Sequence, residues 1–166
     1  MGDFAADRLL LVVDVQNDFC PGGALAVREG DQVVPLVNAL ARRFRRVAVT
    51  QDWHPAGHAS FASSHPGRKP FQTIRLGDIE QTLWPEHCVA GSPGAQLHPL
   101  LDTRGVHLIL RKGSRPDLDS YSAFFENDRK TPTGLAGYLT GLGVRHVYLA
   151  GIATDLSTNS EDTSQR

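Results

Sequence analysis

A chain of 166 residues, 40% hydrophobic and 21% charged, has the length and composition of one globular domain able to bury a core. Its 17 basic and 18 acidic residues leave a formal net charge of −1, which removes the electrostatic case for nucleic acid or a membrane surface as partner. The longest apolar runs, such as LLLVV at 9–13, are too short to span a bilayer. The N-terminal MGDFAADR has no signal-peptide core, so a cytoplasmic location is expected. Cys20 and Cys88 make no disulfide framework and read as small buried thiols in a reducing compartment.

In chain order, Arg8–Asp14 (RLLLVVD) is a nearly continuous apolar run and predicts a strand covered on both faces. The turn-rich QNDFCPGGALAV follows, punctuated by Pro21-Gly22-Gly23. Asp31 is expected to cap a helix with Val33, Val34, Val37, Leu40 and Phe44 on one side; Pro35 is tolerated there because it falls in the first turn. Arg46–Thr50 (RVAVT) predicts a second buried strand. From Gln51 to about Leu101 the chain is loop-rich, crowded with Pro, Gly, His and Trp. Val106–Leu110 (VHLIL) is the third expected strand. Thr131-Pro132 is expected to open a helix with Leu135, Tyr138, Leu139 and Leu142 at i, i+3, i+4 and i+7, which Gly143 ends. Val144–Ala150 supplies a fourth strand.

Strands alternating with helices predict an α/β fold on a parallel sheet. No GxGxxG follows the first strand and no GxxxxGKS/T occurs, so dinucleotide and P-loop readings lose their usual support. Open α/β sheets bind ligands beyond the carboxyl ends of their strands. Here those ends carry Asp14, Gln51-Asp52, Arg111-Lys112 and Gly151–Asp155, so two acids and a lysine are expected on one rim.

Asp52 and His54 in QDWHPAGHASF are two apart at a strand end, which points both side chains the same way. Five of the seven histidines, His54, His58, His65, His87 and His98, lie in the loop-rich segment. One Asp with two or three His is a divalent-metal set suited to Zn²⁺, Mn²⁺ or Fe²⁺, with His87 after Trp84-Pro85 as a third ligand; the competing reading is surface histidines on loops. Asp14 is either a cap for the following loop or a catalytic carboxylate whose pKa is raised by its apolar setting. Lys112 either snorkels to solvent or stabilises the ionised acid beside it. In GIATD, Gly151 and Ala153 allow backbone N–H groups to approach a ligand, as an oxyanion hole requires, although an ordinary strand-to-helix turn would look the same.

Five separated motifs appear in one order: LLVVDVQNDFCPGGALAV, TQDWHPAGHASFASSHPG, LWPEHCVAGSPGAQLHP, RKGSRPDLDSYSAF and VYLAGIATD. Together they resemble the nicotinamidase/pyrazinamidase family of isochorismatase-like cysteine hydrolases, from about residue 8 to Asp155. The resemblance implies hydrolysis of nicotinamide, and of pyrazinamide-like amides, to the acid and ammonia in NAD salvage. It implies Asp14 as general base with Lys112 as its partner. One divalent metal ion would be held by Asp52, His54 and His87, with His58 near it or bound through water. An aromatic pocket would be lined by Phe19, Leu25, Trp84 and Tyr121, and an oxyanion hole formed by the backbone at Ala153 and residue 157. Homo-oligomers are common in the family.

The family's nucleophile is a cysteine two residues after the Asp of TD, and here that position is Ser157. After Leu156 the sequence is STNSEDTSQR, without an apolar face at any period. The expectation is therefore a three-layer open parallel sheet with helices on both faces, lacking the family's C-terminal strands and helices. Residues 1–155 would form an incomplete hydrolase domain and 156–166 a divergent polar tail. Two alternatives stay open: a non-catalytic remnant that binds metal or nicotinamide but lacks the nucleophilic cysteine, and a metal-independent isochorismatase-like hydrolase.

Overall fold

The computed structural model describes residues 4–152. Its elements are β1 (Arg8–Val13), α1 (Val33–Ala41), β2 (Val47–Asp52), β3 (Thr73–Leu76), β4 (Ile79–Thr82), β5 (Val106–Lys112), α2 (Leu135–Gly141) and β6 (His146–Gly151). Four strands form a sheet in the order β5-β2-β1-β6, and every pairing in it is parallel. Their carboxyl ends therefore share one rim. Among the described residues no helix is long and apolar enough to cross a membrane.

Alternate residues of a strand face opposite sides of a sheet, and β1 uses both. Leu10 and Val12 pack with Val34 and Val37 of α1 and with Val47 and Val49 of β2. Leu9, Leu11 and Val13 pack with Ala48 and with Leu135 and Leu139 of α2. One helix thus covers each face beside β1, which is why that strand reads as an unbroken apolar run instead of an alternating one. The outer strands are less enclosed: Ile109 of β5 is 46% exposed and Leu149 of β6 is 38% exposed.

Three expectations are corrected. Asp31 does not cap α1. It lies in a short 3₁₀ turn, Gly30–Gln32, that leads into the helix, and the capping position, Gln32, makes no side-chain cap hydrogen bond. The second helix starts at Leu135 and not at Thr131-Pro132, because Gly134 adopts φ 97° and Thr133 is bonded elsewhere: its N–H donates to the Phe124 carbonyl at 3.0 Å, and its hydroxyl donates to the same carbonyl at 3.2 Å and accepts from the Leu135 N–H at 3.3 Å. Gly143, with φ 65°, follows the helix as expected. Finally, the segment 51–101 is not all loop, since β3 and β4 pair as an antiparallel hairpin around Gly77-Asp78. The alternation in TIRLGDIEQT and its two-residue Gly-Asp turn carried that signal.

The remaining long connection is stitched onto the rim of the sheet. Gln16 bonds both the N–H and the carbonyl of Asp52, at 2.8 and 2.9 Å, and also the Ala95 carbonyl at 2.9 Å. His54 N–H donates to the Cys88 carbonyl at 3.0 Å, and Ala90 N–H donates to the His54 carbonyl at 2.7 Å. Residues 83–98 are thereby pinned beside the ends of β1 and β2.

Candidate active site

The rim gathers what its position suggested. Lys112, at the end of β5, is 3% exposed and sits between two carboxylates. Its Nζ lies 2.9 Å from Asp14 Oδ2, is bonded directly to Asp52 Oδ1, and donates to the Ser120 carbonyl at 3.1 Å. Lys112 therefore does not snorkel to solvent. Asp14 follows β1 in the left-handed region, φ 49°, a conformation few non-glycine residues adopt. Thr50 of β2 holds it there: the hydroxyl donates to Asp14 Oδ1 at 2.6 Å and accepts from the Asp14 N–H at 3.2 Å.

The two acids are electrostatically unequal. For Asp14, burial dominates and lifts the carboxyl above its ordinary range despite the pull of Lys112. For Asp52, burial is opposed by Lys112, His54 and His87 together, which hold it well below the usual carboxylate range. Lys112 is likewise buried, yet Asp14 and Asp52 keep it firmly protonated. Asp52 is thus held as the anion of the two, and Asp14 is the acid more readily protonated.

Around Asp52 stands the histidine set. Its Oδ2 lies 3.8 Å from His54 Nε2 and 3.9 Å from His87 Nε2. In both rings the other nitrogen faces a carbonyl, Gly113 O for His54 and Pro85 O for His87, each at 2.8 Å. A carbonyl can only accept, so Nδ1 carries a hydrogen in both rings and Nε2 is the nitrogen left facing Asp52. That donor set fits a divalent ion: one anionic oxygen and two imidazole nitrogens, all buried and within 4.8 Å of one another. A tetrahedral zinc site with metal–ligand distances of about 2.0–2.1 Å sets its ligand atoms about 3.3–3.4 Å apart, a little closer than the 3.8 and 3.9 Å that separate Asp52 from the two imidazoles.

His58 is placed differently. Its Nδ1 accepts from the Ser60 N–H at 3.1 Å, which leaves the hydrogen on Nε2. The ring packs 4.6 Å from that of His54 and falls in an adjoining group with Asp119, outside the Asp52/His54/His87 set. His65 and His98 make local hydrogen bonds, to the Ala59 carbonyl at 2.8 Å and from the Leu100 N–H at 3.3 Å.

One cavity opens onto this centre. Phe19, Leu25, Trp84 and Tyr121 line it as apolar walls, and Asp14, Asp52, His54, His87 and Lys112 form its charged end. Tyr121 is fixed by hydrogen bonds from Gln81 Nε2 at 2.9 Å and Trp84 Nε1 at 3.1 Å. Asp119 also lines the cavity and was not foreseen, since nothing in RPDLDSY distinguishes it from Asp117. Thr50 and Gln16 were missed as well. A polar residue inside or just after a buried strand was the available signal for both.

Gly113 has a specific reason to be glycine. It adopts φ 60°, and a Cβ there would overlap the His54 ring. Gly113→Ala is expected to turn His54 away from Asp52 and to weaken Zn²⁺ binding by about tenfold or more. Calorimetric titration of the metal-free protein measures this directly. Gly151, with φ 148°, is likewise required, but by the Val13 backbone of β1 that a Cβ would strike. Both cysteines are buried, and burial pushes each thiol up. Neither lines the cavity. The residues expected to supply the nucleophile and the oxyanion hole, Ser157 and Ala153, lie outside the described residues.

Comparison with known proteins gives this arrangement its context. A family model described as Isochorismatase domain matches residues 8–161. The nicotinamidase of Acinetobacter baylyi is 56% identical over 146 residues, which cover 88% of this chain and 68% of that protein. Among solved structures, the nicotinamidase/pyrazinamidase of Acinetobacter baumanii superposes with a TM-score of 0.89 at 52% identity, covering 91% of this chain and 73% of that one. A pyrazinamidase of Pyrococcus horikoshii in complex with zinc superposes at 0.68 with 37% identity, covering 90% of this chain and 72% of that one. A buried acid pair bridged by lysine, a histidine set beside it and identity of this extent point the same way, and the chain belongs to the nicotinamidases of the isochorismatase family.

Proposed function

We propose that the chain acts on nicotinamide, releasing nicotinate and ammonia, in the salvage of pyridine nucleotides. The observation that carries this reading is the Asp14–Lys112–Asp52 arrangement opening onto an aromatic-walled cavity beside two metal-competent histidines. Phe19, Leu25, Trp84 and Tyr121 suit a flat ring, and a small amide fits the same cavity whether the ring carries one nitrogen or two. Asp52, His54 and His87 would hold the metal ion, and zinc is the ion named for the Pyrococcus horikoshii pyrazinamidase. When bound, that ion would supply a Lewis acid at the charged end of the cavity.

Asp14 is the general base in this reading. It takes the proton from the nucleophile at position 157 as that group attacks the amide carbon. It then delivers the proton to the departing nitrogen, so that ammonia leaves and an acyl-enzyme remains. A water molecule, deprotonated by the same carboxylate, cleaves the acyl group and restores the side chain. Lys112 keeps Asp14 in place and offsets its charge. The backbone N–H groups of Ala153 and residue 157 are the proposed oxyanion donors.

Ser157 bears on the rate, because Asp14 must deprotonate a hydroxyl where a thiol would give up its proton far more readily. The reading is tested by ammonia release from nicotinamide in Zn²⁺-loaded protein. Slow turnover is expected, and Asp14→Asn should lower kcat by about 10²–10⁴-fold. Zn²⁺ binding with no ammonia above background would identify a binding remnant. Turnover that survives chelation would identify a metal-independent hydrolase.

The same reading bears on the exposed face of β6. Val147, Tyr148 and Leu149 are 36%, 37% and 38% exposed, and among the described residues β6 pairs with β1 alone. Apolar residues of this kind suit a strand with a neighbour on both sides. They also suit self-association into a homo-oligomer. Two unpaired cysteines accord with a cytoplasmic setting.

A further inference from the structure

We propose that Asp18 is a positioning residue for the metal centre, its carboxylate clamping the backbone next to His87 onto the loop that carries Phe19 and Leu25. This rests on the reading of Asp52, His54 and His87 as metal ligands. Asp18 belongs to a short 3₁₀ turn, Asn17–Phe19, and does not line the cavity. Its two carboxylate oxygens reach two different segments. Oδ2 accepts from the Cys88 N–H at 2.7 Å, and Oδ1 accepts from the Ala24 N–H at 3.2 Å. Its main chain adds two more ties, the N–H to the Gly94 carbonyl and the carbonyl from the Leu25 N–H, both at 3.0 Å. One residue therefore joins the wall of the cavity, the stretch beside His87 and the stretch around Gly94.

Cys88 is where this clamp acts. It adopts φ 46°, a left-handed conformation that is costly for a residue with a Cβ. Such a turn persists only when its surroundings fix it, and a charge-assisted bond from a carboxylate to its N–H is a strong fixture. The same residue's carbonyl accepts the His54 N–H at 3.0 Å. Cys88 is thus tied to both proposed histidine ligands, to His87 by the chain and to His54 by a hydrogen bond. Release of its N–H would let the His87 ring drift from Asp52 and loosen the neighbour of His54. Gly94 supports the reading independently, because a Cβ at that position would overlap the Asp18 carboxylate.

The test is Zn²⁺ affinity of the metal-free full chain, measured by competition with a chromophoric chelator, for wild type, Asp18→Ala, Asp18→Asn and Gly94→Ala. His87→Ala serves as the ligand control. Asp18→Ala is expected to weaken Zn²⁺ binding by about tenfold or more, the effect of removing an outer partner of a metal ligand. Asp18→Asn keeps an oxygen for the Cys88 N–H and should recover most of the affinity. Gly94→Ala, which leaves Asp18 in the sequence but takes its space, should weaken binding as Asp18→Ala does. The absorption spectrum of bound Co²⁺ should shift in the weakened variants and not in Asp18→Asn. Where Asp18→Ala does not fold, the contrast between Asp18→Asn and Gly94→Ala decides. Unchanged affinity and Co²⁺ spectra in the Asp18 and Gly94 variants, with His87→Ala impaired, would overturn the clamp alone. No Zn²⁺ binding in wild type would overturn the metal reading and the clamp with it.

Discussion

Replacing Ser157 with cysteine is expected to raise ammonia release from nicotinamide by about 10³-fold or more, since losing a nucleophile outright costs on the order of 10⁶-fold in a well-studied hydrolase. The argument is one of acidity. A free thiol titrates near pH 8.5, so a small positive influence yields a thiolate at neutral pH. A hydroxyl stays protonated and needs a strong base in the transition state. Asp14 is a better base than a free aspartate, because burial raises its carboxyl, but it remains a weak one for this proton. Neither resident cysteine is placed to substitute, as Cys20 and Cys88 are buried and do not line the cavity. The measurement is kcat/KM for wild type, Ser157→Cys and Ser157→Ala under identical zinc loading. Equal rates in all three would remove residue 157 from the chemistry. A gain in Ser157→Cys that is abolished by adding Asp14→Asn would place the two groups in one proton-transfer step.

Much of this site was legible in the sequence because it is built from strand ends. RLLLVVD, RVAVTQD and VHLILRK each close on the residue that matters, and parallel pairing carries Asp14, Asp52 and Lys112 to one rim without help from long-range detail. Asp52 and His54 were legible for the same reason, being two apart in extended chain. His87 came from its motif, since its approach to Asp52 depends on how residues 83–98 are stitched to Gln16, His54 and Asp18, and no local periodicity encodes such stitching. Asp119 and Thr50 escaped notice because their roles are hydrogen bonds and cavity position that arise only once separate segments meet. The hairpin of β3 and β4 was legible and was overlooked. Its alternation is brief, and the surrounding Pro, Gly and His suggested loop throughout.

Lys112→Met is expected to destabilise the metal-free protein by about 3–5 kcal/mol near pH 8, the cost of leaving buried carboxylates without their cation. The ammonium is 3% exposed and contacts both Asp14 and Asp52, so no solvent can take its place without opening the rim. The effect depends on pH, and its sign follows from the native values. Asp52 lies below its ordinary 3.8, so the stability it contributes is present above that value and is lost as pH falls through the native one. Lys112 lies above its ordinary 10.5, so its contribution is present below 10.5 and disappears only as pH rises through the native value. Between these limits the Asp52–Lys112 pair is constant, while Asp14, raised by burial, costs the wild type some stability as pH rises from 3.8 through its native value. In Lys112→Met both acids are buried without compensation, their native values move up, and stability falls as pH rises past the ordinary carboxylate range. The deficit should therefore be present already at pH 4–5, where the Asp52–Lys112 contribution is in place, and grow toward pH 8. Urea unfolding of both proteins in chelator at the two ends of that range measures it. A deficit that does not change with pH would assign the loss to packing and to the Ser120 hydrogen bond instead of charge. Added Zn²⁺ should narrow the gap at high pH, because a dication on Asp52 restores part of the positive charge that the substitution removed.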